Sequence, residues 1–160
     1  MVFRGLITLA LRPPCFSSGG CAFDLTDNDI AETATASPNL EFITLGIVCP
    51  TKSCRTTVSS FLFLSIRCQN LEYLEIHFNT TNLPDDLESM PENPRLRDSC
   101  TLPRCQLTQF AVSHAPLWIE EDSDYGPLVA GFLGIFPSLC SILGGAVNWD
   151  RLSSKLCDEE

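Results

Sequence analysis

Two histidines, nine cysteines and twenty acidic residues are what this chain offers for chemistry. A cysteine beside a histidine can act as a thiolate nucleophile, and close pairs of cysteine and histidine can hold zinc. The spacings favour neither. The close cysteine pairs are Cys15/Cys21, Cys49/Cys54 and Cys100/Cys105; none is C-x-x-C and none adjoins a histidine pair. His77 falls on a predicted strand, and His114 falls in a turn ahead of Pro116. No glycine-rich phosphate loop, G-x-S-x-G elbow or H-E-x-x-H occurs. The expectation is a chain that is not an enzyme, with no catalytic residue, metal or cofactor. Its cysteines are expected to be reduced thiols, mostly buried or incidental.

The totals narrow the partners. Ten Lys and Arg stand against twenty Asp and Glu, a formal net charge of −10. Nucleic-acid binders need a basic face, so no nucleic acid is expected, and a basic protein surface suits the charge better. With 160 residues, 44% of them hydrophobic, the chain can bury the core of one domain. Gly5 to Leu11 is apolar, but Arg12-Pro13-Pro14 follows where a signal peptide would carry small residues. No run approaches the roughly 18 apolar residues of a membrane span. The expected location is cytoplasmic or nuclear, without membrane attachment. The sequon Asn79-Thr80-Thr81 would matter only in a secreted chain.

What could position a functional surface is a repeat. Asn70-Leu71-Glu72-Tyr73-Leu74-Glu75-Ile76 restates Asn39-Leu40-Glu41-Phe42-Ile43-Thr44-Leu45. Both carry the L-x-x-L-x-L spacing of a leucine-rich repeat. Weaker copies are Leu6/Leu9/Leu11, Leu107/Phe110/Val112 and Leu139/Ile142/Gly144. First positions at 6, 40, 71, 107 and 139 give steps of 34, 31, 36 and 32. Such steps leave room for a helix in each unit. Pro38 and Pro137 stand two residues before their leucines.

The predicted fold class is therefore α/β: a leucine-rich-repeat solenoid arc of about five parallel strands, helices on the convex side. Residues 1–157 form its single domain, and 158–160 a frayed acidic tail. Thr26-Asp27-Asn28-Asp29 reads as a capped helix start, and Pro38 ends that helix. Val58, Phe61, Leu62 and Ile66 give the apolar face of a second helix, widened by Phe63 and Leu64. The stretch 80–105 is the least regular, with one or two helical turns from Asp85 to Met90. A further helix begins at Pro127, its stripe being Leu128, Val129, Phe132, Leu133 and Phe136. The tail after Trp149 reads as polar. Because the first repeat starts within six residues of Met1, no N-terminal cap is visible. The array is expected to be the C-terminal part of a longer one, or a shortened product, unless Met1 to Gly5 pairs with something outside the chain.

In such an array the residues between the leucines face outward on the concave sheet. These are Thr8, Ala10 and Arg12; Phe42, Thr44 and Gly46; Tyr73, Glu75 and His77; Gln109, Ala111 and Ser113. The predicted protein contacts among them are Arg12, Phe42, Thr44, Tyr73, Glu75, His77 and Gln109. An aromatic pair beside a charge suits a contact patch, although the same pair could simply stiffen the sheet.

Three phrases resemble a known family: Phe23 to Ile30, Ala36 to Glu41 and Arg67 to Leu74. With Val129 to Leu139, they look like the leucine-rich region of fungal F-box proteins. The resemblance implies the substrate-recognition repeats of a cullin-type ubiquitin ligase. It implies a protein target, and a Skp-type adaptor only if a longer form carries an F-box, since residues 1–25 read as a strand and a loop. Two alternatives stand beside this reading. One is a degenerate or truncated fragment without independent function. The other is an extracellular, disulfide-containing recognition domain.

Overall fold

A computed structural model of the chain describes residues 3–11, 25–45, 55–81, 83, 87, 105–112, 125–144 and 147–157, the side chains of 147–149 and 157 excepted. Five strands form one parallel sheet in chain order: β1 (Thr8–Leu11), β2 (Phe42–Leu45), β3 (Tyr73–Ile76), β4 (Gln109–Val112) and β5 (Ser141–Gly144). Four helices are delimited among the described residues: α1 (Asp27–Ala36), α2 (Ser59–Arg67), α3 (Tyr125–Ile135) and α4 (Val147–Cys157). Leu83 and Leu87 are helical as well.

The strand register follows the repeated phrase. Leu9, Ile43, Leu74, Phe110 and Ile142 pair in one row across all five strands. Leu11, Leu45 and Ile76 align in a second row, and Val112 pairs with Gly144. Side chains alternate faces along a strand, so these rows share one face. From β2 onward that face is buried, as are the leading leucines Leu40, Leu71, Leu107 and Leu139. Each buried side chain of this size contributes about 1.5–3 kcal/mol.

The chain makes the same turn before β2, β3 and β5. The amides of Ser37, Cys68 and Phe136 close the ends of α1, α2 and α3 on the carbonyls of Thr33, Leu64 and Phe132, at 2.8–3.0 Å. Three residues later, Leu40, Leu71 and Leu139 donate back to the carbonyls of Ser37, Cys68 and Phe136. One carbonyl then accepts two successive amides from the next unit. Glu41 accepts from Glu72 and Tyr73, Glu72 from Thr108 and Gln109, and Thr108 from Cys140 and Ser141. Pro38 and Pro137 occupy equivalent places in these turns, where a missing amide costs nothing.

The helix starts are more specific. Thr26 caps α1 in a full capping box: its hydroxyl receives the Asp29 amide, and Asp29 receives the Thr26 amide. Those Thr26 donors hold the Asp29 carboxyl below its usual range, the hydroxyl more than the amide. Asp27 serves the next helix instead. Its carboxylate accepts from the Thr57 amide at 2.7 Å, the Thr57 hydroxyl at 2.7 Å and the Ser60 hydroxyl at 2.5 Å. A negative charge at the start of α2 meets the positive end of its dipole. Asp27 thus ties one unit to the next.

Phe61 of α2 is the centre of the core. Its ring lies 4.9 Å from Phe78 and 5.1 Å from Phe110, both edge-on. It lies 6.2 Å from Phe136 and 6.4 Å from Phe132. Edge-to-face contacts of this kind add to the gain from burial. They bind two helices to the buried face of the sheet.

The structure differs from the sequence reading in several places. The stretch after Trp149 is the helix α4, not only a polar tail. Leu152 and Leu156, four apart, are its buried face. The Ser153 hydroxyl of α4 accepts the Ile142 amide at 3.0 Å. Helix α3 begins at Tyr125, two residues before Pro127, and buries the Tyr125 ring and Ile135 besides the predicted stripe. Leu133 and Ile66 are only half-buried. Helical structure after β3 includes Leu83, ahead of the expected start at Asp85. In the first repeat Leu6 and Leu9 are half-buried and Leu11 is exposed, because no described strand lies beyond β1. The acidic loop at 120–124 and the tail at 158–160 fall outside the described residues.

Candidate interaction surface

Positions between the buried rows make up the opposite face of the sheet. Thr8, Phe42, Tyr73, Gln109 and Ser141 align in one row. Ala10, Thr44, Glu75, Ala111 and Leu143 align in the next. Neighbouring strands are about 4.8 Å apart, so Phe42 and Tyr73 stand side by side. Phe42 is 40% exposed and Leu143 51% exposed. Gln109 is exposed, and Thr44, Tyr73, Glu75 and His77 are half-buried. All-parallel sheets usually have both faces covered. Here the helices pack one face, and large apolar groups on the other meet solvent.

The sequence-predicted contacts divide clearly. Phe42, Thr44, Tyr73, Glu75 and Gln109 share this face, and His77 follows directly after β3. Arg12 lies outside the described residues. The Tyr73 hydroxyl donates to the Glu75 carboxylate at 3.4 Å, which orients the acid beside the aromatic pair. Glu41 and Glu72 precede β2 and β3 at the same edge, and the described strands carry no Lys or Arg. The face is therefore mixed aromatic and acidic. Sequence reasoning passed over Ser141 and Leu143 on β5, although the Leu139/Ile142/Gly144 spacing marks them as the outward positions.

The two buried thiols among the described residues, Cys68 and Cys105, have a different role. The Cys68 thiol approaches the Ser37 carbonyl at 3.8 Å, and the Cys105 thiol approaches the Cys68 carbonyl at 3.4 Å. They link each turn to the one before it. Burial pushes the Cys68 thiol up to about 12, helped by Cys105 nearby. Burial pushes Cys105 up to about 11, against a backbone bond at Leu107 that lowers it. Both stay protonated at neutral pH, so neither is a thiolate nucleophile. His114 lies outside the described residues.

Among the described residues, no three acidic, histidine or cysteine side chains gather as a metal site. No described helix is long and apolar enough to cross a membrane. Compared with known proteins, the chain matches no protein-family model, no curated protein and no solved structure.

Proposed function

We propose that this chain is a leucine-rich-repeat arc that binds another protein through the open face of its sheet. Its role is recognition rather than catalysis, in the manner of the substrate-recognition repeats of an F-box subunit of a cullin-type ubiquitin ligase. Adaptor binding would belong to a longer form carrying an F-box. The observation that carries the reading is the uncovered face of a parallel sheet, with Phe42, Tyr73 and Leu143 on a rigid frame and Glu75 among them. Rigid aromatic groups at fixed spacing are what binding hot spots are made of, and the matching turns before β2, β3 and β5 support a repeated unit.

The test is selection of a displayed peptide library on the purified chain. The selected binders should lose about tenfold or more in affinity on Phe42→Ala or Tyr73→Ala, the usual scale for a hot-spot aromatic. Both variants should keep the wild-type urea midpoint. Binders indifferent to both substitutions would refute the assignment of this face.

A second reading is a repeat segment that needs a covering neighbour. It is favoured by Ile7, just ahead of β1, and Leu11, at its end, which are 50% and 43% exposed. A broad urea transition of low amplitude would support it. A single sharp transition would remove it.

A further inference from the structure

A cleft of about 650 Å³ lies along the turns that lead into β2 and β3, away from the open face of the sheet. Arg4 and Arg67 both line it, with the amide side chains of Asn39, Gln69 and Asn70. Ile66 adds an apolar surface. No Asp or Glu lines it among the described residues. Among the described residues neither guanidinium makes a hydrogen bond or ion pair, and the Arg4 backbone carbonyl accepts from Asn39 at 2.7 Å. In a chain of net charge −10, two arginines thus share one cleft with no acid or partner for either guanidinium among the described residues.

Helix electrostatics explains only half of this. Arg67 stands in the last turn of α2, where a positive charge complements the dipole. Arg4 belongs to no helix. Its presence in the same cleft has no such cause.

We propose that the cleft is a phosphate-monoester site. A guanidinium presents a planar fork that two acceptor oxygens satisfy. One fork is enough for a carboxylate, which carries one charge. A phosphate monoester carries about −1.5 to −2 at neutral pH and three strong acceptor oxygens, so it can engage both forks and still accept from an amide. The carbonyl ends of α1 and α2 lie at the same edge and oppose an anion. Both arginines are therefore needed, and losing either one should abolish binding. The cleft is of the size that holds a small organic ligand, so there is room for the group that carries the phosphate. That group is either a small molecule or the phosphorylated side chain of a partner protein.

Calorimetric titration of the full chain tests this, with phenyl phosphate, a phosphoserine hexapeptide and the same peptide unphosphorylated as probes. At least one phosphorylated probe should bind, and the plain peptide about tenfold more weakly or not at all, as expected when hydrogen bonds to a charged group are lost. Arg4→Ala and Arg67→Ala should each remove binding. Arg67→Lys should weaken it, because the charge stays and the fork goes. Lys155→Ala and Phe42→Ala should leave it unchanged, which separates this site from the open face. All four positions are exposed, so folding is expected to survive, and a wild-type circular dichroism spectrum checks that. Binding of phenyl phosphate as tight as that of the peptide assigns a small ester; binding of the phosphopeptide alone assigns a partner side chain. Equal affinity for plain and phosphorylated peptide, no binding of either phosphorylated probe, or binding that survives Arg67→Ala would overturn the proposal.

Discussion

A single carboxylate joins the first two described helices. Asp27 was legible in the sequence only as part of a capped start for its own helix. The donors it serves, Thr57 and Ser60, come thirty and more positions later, and no local signal announces such a partner. Asp27→Ala would strip three bonds from the start of α2. We expect a loss of about 1–3 kcal/mol in urea unfolding, the range for a helix cap with charged hydrogen bonds. A loss below about 0.5 kcal/mol, typical of an uninvolved surface site, would contradict this role. The buried Cys68 thiol supplies a pH test. Its acid is favoured in the folded state, from a normal 9.0 up to about 12. Below pH 9 the thiol is protonated in both states and contributes no slope. Between about pH 9 and 12 the unfolded chain releases a proton that the folded chain keeps, so stability falls as pH rises. Urea midpoints from about pH 8 to 10.5 should drop more steeply for the wild type than for Cys68→Ala. Equal slopes would show that the thiol ionises freely in the folded chain.

The elements show which signals carry far in a sequence. Repeated apolar spacing specified both strand order and register, because a slip of one residue would turn every buried side chain to solvent. Pro38 and the Thr26 cap fixed the ends of α1 for equally local reasons. Helix α4 escaped, since its two buried leucines sit in an otherwise polar segment and burial depends on contact with β5. The site was partly legible by the same logic. Phe42, Tyr73 and Glu75 followed from alternation along the strands, whereas the Arg4/Arg67 cleft arises from turns distant in sequence. Gly131 in α3 offers a test of packing against propensity. A Cβ there would lie 2.8 Å from the Leu87 Cβ, closer than such atoms approach. Helix propensity alone makes Gly131→Ala stabilising by about 1 kcal/mol. Overpacking against Leu87 should reverse the sign, to a loss of about 1–3 kcal/mol. A gain in thermal midpoint would mean that α3 and the helical segment at Leu87 lie farther apart.

Across the whole molecule, neighbouring units share one aromatic core and one sheet. Phe61 touches rings from beyond β3, from β4 and from the C-terminal half of the α3 stripe. Phe61→Ala should therefore cost about 3–5 kcal/mol, a large share of the 5–15 kcal/mol that stabilises a typical domain. It should broaden the unfolding transition as the two halves separate, and a small loss with full cooperativity would contradict the shared core. The open face depends on the same stacking: Phe42 and Tyr73 are neighbours only if the repeated phrases lie in register. Nuclear Overhauser contacts in the folded chain measure that directly. Ring-to-ring contacts between Phe42 and Tyr73, with methyl contacts between Ile43 and Leu74, are the predicted result. Contacts from the Phe42 ring to Leu74 instead, or none between these two strands, would contradict the stacked register and the surface built on it.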